Sequence, residues 1–379
     1  MKVIYLTTHV EESDFLRLVS RAKTAPNPAG QNFHGKIIAA LSKYGQVKVY
    51  SLIPNKEGIL KEGLRIAQNG LCYHYFSPAK TLAQKAFLTY RKIALAIQRD
   101  NPGEPVVIVY DSLNVTLAKA ARFASLIMKA PRVAICSDDP RNISFTRPGY
   151  AKAVLQLSSN ADGYLCLTKK LNLIFNHDCK KYLLKPGIVE EGKAPKKILD
   201  KPYIYYGGAL FEKDGVADLI DGYFSAKPAL KLVIAGHGPM EETIRNLAKE
   251  HEDLVFLGQI SKQDNYAYEK GAALAVNPRL YNGDLDAVSV PSKVLEYLSN
   301  APYVASTLST SLKAIFPKDV NWIEGENFGS FLKRHLTAKG NLRGLTRNEA
   351  KEKFASLGLS KETFGRDFHH FLSSIKDNN

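Results

Sequence analysis

The segment Pro291-Ser292-Lys293-Val294-Leu295-Glu296-Tyr297 sets a cation and a carboxylate three residues apart at the start of a helical pattern. At that spacing Lys293 and Glu296 share one face of the first turns. An apolar strand over residues 272–276 and a polar, Gly-containing loop over residues 277–286 lead into it. Ala301-Pro302 stops the helix, and residues 303–307 begin another strand. A buried strand that feeds a helix N-terminus leaves free N–H groups and the positive end of the helix dipole facing outward, which suits an anion. Ser292 and Lys293 stand at that end, and Glu296 can accept hydrogen bonds from a diol. The chemistry is that of holding a nucleotide diphosphate and its ribose.

Two upstream motifs could serve the same ligand. Gly207-Gly208 ends a strand pattern and Lys213-Asp214-Gly215 opens the next helix. Glycine there permits backbone to approach a phosphate, and Lys213 supplies charge; a purely structural turn is the plainer reading. Leu232-Val233-Ile234-Ala235-Gly236-His237-Gly238-Pro239 is a buried strand that ends in a tight turn. Glu241 follows Met240 where a dinucleotide fingerprint has its last glycine, which argues against a nicotinamide cofactor.

The first half offers acid–base candidates. Asp138 and Asp139 follow a strand in Cys136-Ser137-Asp138-Asp139-Pro140. Either could deprotonate or orient an acceptor hydroxyl, or cap the turn that follows. His34 and His9 are the alternative bases, or hydrogen-bonded loop histidines, and Asp111 after an earlier strand carries the same ambiguity. Asp284-Leu285-Asp286 has a metal-binding look, but its position in a loop reads as a solvated segment, with contact to a sugar as the alternative; neither a metal nor a cofactor is expected.

Strand and helix patterns alternate around these residues. Strand-like runs cover residues 3–8, 47–52, 71–76, 106–111, 132–137 and 163–167, with helical stretches such as 36–43, 82–98, 115–128 and 150–157 between most of them. A second series covers 203–206, 230–235, 254–257, 273–276 and 303–306. Between the series, Pro186-Gly187, Gly192, Pro195 and Pro202 break the pattern. Such alternation predicts an α/β protein of two Rossmann-like domains, each a parallel sheet with helices on both faces, whose ligands lie in the cleft at the strands' C-terminal ends. The expected organisation is an N-terminal domain over 1–186, a linker over 187–202, a second domain over 203–355 and a final helical segment over 356–379. Thr346 with Glu349 has capping-box spacing.

The net charge of +15 is uneven. Residues 1–186 hold 27 Lys and Arg against 12 Asp and Glu, whereas residues 187–379 hold 25 of each. A basic half suits an anionic membrane surface, nucleic acid or a polyanionic substrate. Cations and aromatics intermix around residues 144–150 and 172–185, which fits docking on anionic lipid. The cations are spread over many helices without a groove of stacking aromatics, so a nucleic acid partner is not expected. No apolar run is long enough to span a bilayer, and Cys72, Cys136, Cys166 and Cys179 are scattered without ligand spacing. A cytosolic protein with reduced thiols is expected.

Taken in order, Gly-Gly…Lys-x-Gly, Val-Ile-Ala-Gly-x-Gly-Pro, Val255-Phe256-Leu257-Gly258, Pro-Ser-Lys-Val-Leu-Glu-Tyr and Pro-Tyr-Val-Ala-Ser-Thr resemble the retaining glycosyltransferases of family 4, over about residues 203 to 307. Asn27-Pro28-Ala29-Gly30-Gln31-Asn32-Phe33-His34 adds a looser match to a glycine-containing loop of bacterial polysaccharide transferases. The resemblance implies a GT-B fold whose last helix, near residues 364–375, crosses back to the first domain. It implies Glu296 on the ribose, Lys213 on the donor diphosphate, Ser292 and Lys293 near the phosphates, and Gly30 in a loop closing over donor and acceptor. Two positions depart from the pattern: Val288 stands where the family has a first Glu, and Ala209 where Arg is usual. The reading is a metal-independent glycosyltransferase that moves a sugar from a nucleotide diphosphate to a glycan or lipid-linked acceptor, in cell-surface polysaccharide or glycolipid synthesis, peripheral on the membrane's inner face. The alternative is a non-catalytic, glycosyltransferase-like binding subunit.

Overall fold

A computed structural model of the chain describes residues 1–23, 26, 28–81, 84–143, 146–193, 195–280, 283–337 and 342–377. Several sequence expectations touch positions outside that set, among them Asn27 of the glycine-loop motif, residues 144 and 145 of one basic stretch, residues 82 and 83 of an expected helix, residue 194 of the expected linker, and residues 281 and 282 of the polar loop before Pro291. The chain divides into two compact units, Met1–Ile188 with Gly358–Asn379, and Val189–Leu357.

The first unit is built on strands β1 (Lys2–Thr7), β2 (Gln46–Leu52), β3 (Gly63–Ile66), β4 (Cys72–Phe76), β5 (Val106–Asp111), β6 (Arg132–Cys136), β7 (Gly163–Cys166) and β8 (Tyr182–Leu184). They form one sheet in the order β3-β4-β2-β1-β5-β6-β7-β8. Every pair is parallel except β3 with β4. The central strands are continuous apolar runs because helices cover both faces. On one face Val3, Tyr5, Val107 and Val109 pack with Ile37, Ile38, Phe364, Phe368, Leu372 and Ile375. Full burial of each such aliphatic side chain contributes about 1.5–3 kcal/mol. The Lys361–Lys376 helix therefore belongs to the first unit's core, as the resemblance implies. It lies against the Pro28–Leu41 helix so closely that a Cβ on Gly365 would sit 2.5 Å from the Ala40 carbonyl oxygen. Lys185, just past β8, pairs at 2.8 Å with Asp367 of that helix.

The second unit has β9 (Tyr203–Gly207), β10 (Lys231–Ala235), β11 (Leu254–Phe256), β12 (Leu274–Asn277), β13 (Val304–Thr307) and β14 (Asn321–Ile323), ordered β11-β10-β9-β12-β13-β14 and wholly parallel. Ile204, Tyr206, Leu232, Ile234, Leu274 and Val276 face Val216, Leu219, Phe328 and Phe331. On the other face Tyr205 stacks on Tyr268 with ring centroids 5.8 Å apart. The expected linker joins this unit from Val189 on: Gly192 N–H donates to Asn300 Oδ1 (3.1 Å), and Lys197 N–H donates to the Ala267 carbonyl (2.8 Å). The capping box forms, with Thr346 N–H donating to Glu349 Oε2 (2.8 Å) and Glu349 N–H to Thr346 Oγ1 (3.3 Å).

The structure corrects three expectations. Gly30 is not in a loop; it sits in the first turn of the Pro28–Leu41 helix, because Pro28 is pre-set for a first helical position. Asp284-Leu285-Asp286 is not a solvated loop but lies in the short Gly283–Val288 helix, with Asp286 buried. Strands β3, β8 and β14 join the sheet edges without having been expected; each is short, and β3 is mostly exposed.

Candidate functional site

Each sheet reverses its winding once, and an open α/β sheet binds ligands at that switch point, beyond the strands' carboxyl ends. In the second unit the switch lies between β9 and β12. Three loops interlock there. The loop after β9 is laced to the loop after β10: Gly208 N–H donates to the Ala235 carbonyl (2.9 Å), Leu210 N–H to His237 O (3.1 Å) and Met240 N–H to Leu210 O (3.1 Å). Gly236 has φ +149°, and a Cβ there would lie 1.7 Å from Gly208 O. Gly238 packs as closely, 2.7 Å from Leu210 O by the same measure. The loop after β12 meets Gly215, which has φ +72° and leaves 1.8 Å between a notional Cβ and the Pro278 oxygen. These glycines are therefore required for backbone on backbone contact, whatever they do for a ligand.

Lys293 reaches into this frame from the Ser292–Asn300 helix. Its ammonium donates to Tyr206 Oη at 3.0 Å and lies 4.6 Å from the centre of that ring. It passes over Gly208, where any Cβ would meet it at 2.0 Å. Tyr206 Oη in turn donates to the Ala209 carbonyl (2.6 Å). Partial exposure to solvent does not spare Lys293 a desolvated setting: burial pushes its pKa down to about 8, with Asp214 and Glu296 opposing that and Arg279 adding to it. A cation so placed gains from an anionic ligand that restores its lost solvation.

Pro291 offers no side-chain cap to the Ser292–Asn300 helix, so first-turn N–H groups are left for an outside acceptor. Ser292 is exposed at that end. Tyr297 holds the helix to β9 by accepting Gly207 N–H at 3.0 Å. Asn300 Nδ2 donates to the buried Glu269 carboxylate (2.8 Å). Glu296 lies one turn beyond Lys293, close enough to act on both Lys293 and Tyr266. Lys213 stands apart from this group: it is exposed in the turn Glu212–Asp214, with its ammonium 5.6 Å from the Phe211 ring centre. The neighbouring Asp214 is the residue of that turn whose charge reaches Lys293. Sequence reasoning missed Asp214, Arg279 and Tyr206. Arg279 had a signal, being two residues past the end of β12. Beside it, Thr307 Oγ1 donates to the Arg279 carbonyl and borders an open recess of about 670 Å³ lined also by Ile323, Glu326 and Asn327.

In the first unit the switch lies between β1 and β5. His34, from the Pro28–Leu41 helix, meets Asp111 at the end of β5: Nε2 to Oδ2 is 3.7 Å, and Nδ1 lies 2.8 Å from Tyr5 Oη. His34 is buried. Burial, with Asp111 adding to it, drives Tyr5 well above its ordinary pKa, so Tyr5 stays a neutral hydroxyl. Asp138 stands nearby, since burial first and then Asp111 and Asp138 push Tyr150 up to about 12. Asp138 Oδ1 accepts Asp139 N–H (2.8 Å). Asp139 is engaged twice over by Arg141, whose backbone N–H (2.9 Å) and guanidinium (2.6 to 3.0 Å) both donate to it. Although burial opposes ionisation, these bonds hold Asp139 below the usual carboxylate range. Its lone pairs serve the turn, which leaves His34, Asp111 and Asp138 as the group with chemistry to offer. His9 lies beside them, stacked on Tyr73 at 5.9 Å, and the ring comes so near Gly35 that a Cβ there would be 2.7 Å from Nε2.

Residues 189–327 match the family described as glycosyl transferases group 1. No curated protein matches the chain by sequence. Among solved structures, the chain is similar to sucrose-phosphate synthase from Thermosynechococcus elongatus, with TM-score 0.73 and 13% identity over 100% of both chains. It is similar to Anabaena HepE in complex with UDP and glucose, with TM-score 0.63 and 13% identity over 99% of this chain and 100% of that one. Trehalose 6-phosphate synthase from Burkholderia multivorans gives TM-score 0.61 and 10% identity over 100% and 97%. At such identities the likeness speaks for the fold. Residues 189–327 thus carry a glycosyl transferases group 1 domain, and the chain as a whole has the GT-B fold, two Rossmann-like units with the final helix returned to the first.

Proposed function

We propose that this protein transfers a sugar, a hexose by class, from a nucleotide diphosphate to a glycan or lipid-linked acceptor. The observation that carries the reading is Lys293, a desolvated cation at the second unit's switch point, beside an uncapped helix start and within reach of Arg279. A diphosphate leaving group gathers negative charge as the glycosidic bond to it breaks. Lys293, Arg279 and the helix N-terminus answer that charge directly, which supports a reaction without a divalent metal. Arg279 supplies the cation that Ala209 does not. Glu296 is assigned to the ribose, and Gly208, Gly236 and Gly238 give the backbone its close approach. That HepE was solved with UDP and glucose supports a uridine donor. In the first unit, His34, Asp111 and Asp138 orient or deprotonate the acceptor hydroxyl. The acceptor belongs to cell-surface polysaccharide or glycolipid synthesis on the cytoplasmic side of a membrane, a setting that fits the basic first half.

Val288, buried in the Gly283–Val288 helix at the position of the family's first Glu, favours a second reading: a subunit that binds the nucleotide sugar without turning it over. A thermal-shift screen against UDP, GDP, ADP and CMP and their sugars, paired with a donor-hydrolysis assay, separates these. Stabilisation with turnover supports transfer, stabilisation without turnover supports the binding subunit, and no stabilisation by any nucleotide sinks both.

A further inference from the structure

The first unit's positive charge is not spread evenly over its two faces. Going from β4 to β5, β6, β7 and β8, the chain always steps in one direction across the sheet. Right-handed crossovers therefore put the intervening helices on one face: Thr89–Asp100 with the turn Gln84–Leu88 before it, Val115–Met128, Tyr150–Ser158 and Lys169–Phe175. Arg132 Nη1 and Tyr164 Oη confirm the side, bonding the carbonyls of Leu157 (2.8 Å) and Ser158 (2.8 Å). Along these four helices the sequence holds a single carboxylate, Asp100, at the last position of the first of them. Their outward positions carry Arg91, Lys92, Arg99, Arg122, Lys152 and Lys170, all exposed. Of the helices on the other face, Glu12–Arg21 and Lys361–Lys376 mix both signs, and Pro28–Leu41 adds only the buried Lys36.

The same outward positions carry large apolar side chains. Phe87 and Leu88 are each 60% exposed, Leu95 53%, Leu126 and Leu173 68% each. Leu88, Lys92, Leu95 and Arg99 follow one another at helical spacing, so apolar and cationic side chains alternate along one exposed stripe. The Tyr90 and Phe123 rings lock the first two helices together, edge to face at 6.0 Å, with Arg91 and Lys119 against the Tyr90 ring at 5.9 and 5.8 Å. Two of these cations are paired, Lys92 with Glu62 (2.7 Å) and Arg99 with Asp100 (3.0 Å), so the face is cationic chiefly through Arg91, Arg122, Lys152 and Lys170, and it is studded with aliphatic groups. A polyanionic nucleic acid would want stacking aromatics there, whereas the exposed apolar groups are mostly leucines. An anionic bilayer offers what both kinds of group need: phosphates for the cations, and an acyl boundary for Leu and Phe.

We infer that this four-helix face is the surface by which the protein docks on a bilayer rich in anionic phospholipid. The inference names the surface for the membrane setting of the proposed function, and rests on that reading for its purpose but not for its test. The full chain is sedimented with vesicles of phosphatidylcholine alone, or of phosphatidylcholine with phosphatidylglycerol. Binding is expected for the anionic vesicles only, and should weaken with added salt. Arg91→Gln with Arg122→Gln should lower the partition coefficient about 30-fold, at roughly 1 kcal/mol per basic residue near the surface. Leu88→Ser with Leu126→Ser should weaken binding that persists at high salt. These residues lie in the first unit, so melting temperature and nucleotide-induced thermal shift should stay as in wild type, which shows the variants fold and keeps this test separate from the donor site. Equal binding to neutral vesicles, no binding to either, an unchanged partition in the Arg variant, or tight binding to a DNA oligonucleotide without vesicle binding would overturn the inference.

Discussion

In both units the sheet turns back at one strand pair, β1 with β5 and β9 with β12, yet different chemistry stands at the two points. In the second unit the frame is backbone: glycines at 208, 215, 236 and 238 let three loops touch, and the charges delivered there are Lys293 and Arg279. In the first unit the frame is side chain: Tyr5, His34 and Asp111 join across the strands, and Asp138 and Asp139 brace the next turn. The local charges are also opposite to the bulk ones. The half with the large cationic excess keeps acids and a histidine at its switch point, while the half with balanced charge keeps its cations there. Net charge speaks for the outer surface; the strand ends speak for the ligand.

The sharpest way to break this contrast is through glycine. Gly215→Ala sets a side chain against the Pro278 carbonyl at positive φ. It should destabilise the second unit by about 3 kcal/mol or more, in line with other severe backbone conflicts. Gly30→Ala in the first unit meets nothing within 4 Å in a helical turn and should be neutral or stabilise by up to about 1 kcal/mol. Urea melts of the two variants check this; equal losses would mean that the loops of the second unit are not tightly interlocked.

A smaller effect separates binding from stability at Lys293. Because the folded pKa is depressed, to about 8, charging Lys293 costs stability below that value, and the cost fades as pH rises from there towards the unfolded value. Lys293→Met should therefore raise the ligand-free stability by about 1 to 2 kcal/mol, after discounting for partial exposure, while nucleotide affinity falls by about tenfold to a hundredfold. A variant that loses stability and keeps its nucleotide would contradict the assignment. In the first unit the reverse split is expected. His34→Gln and Asp111→Asn should lower kcat by about 100-fold or more, as loss of a general acid or base does, and leave the nucleotide-induced thermal shift in place. A loss of that shift instead would erase the difference between the two switch points.

The central strands were legible because strands covered on both faces are plain apolar runs, and Tyr203–Gly207 or Val106–Asp111 could hardly be anything else. The edges were not: β3 is mostly exposed and pairs through backbone that any sequence offers. Lys293 and Glu296 were legible from their spacing. Asp214 was not, because it precedes Lys293 by 79 residues in the chain and only the sheet brings the two together; Arg279, 14 residues before Lys293, lay in a loop whose path the spacing does not fix. For Asp139 the sequence left a base and a cap of the next turn equally open, and its bonds to the backbone and guanidinium of Arg141, two residues on, place it in the turn.

The most direct test of the central claim is the affinity for UDP, measured by calorimetry from about pH 7 to about pH 10, in wild type and in Lys293→Met. If the charged Lys293 holds the diphosphate, wild-type affinity is steady below about pH 8 and then falls about tenfold per pH unit, following loss of the Lys293 proton. The variant should bind weakly with no such fall. A flat wild-type profile, or the same fall in the variant, would contradict the account.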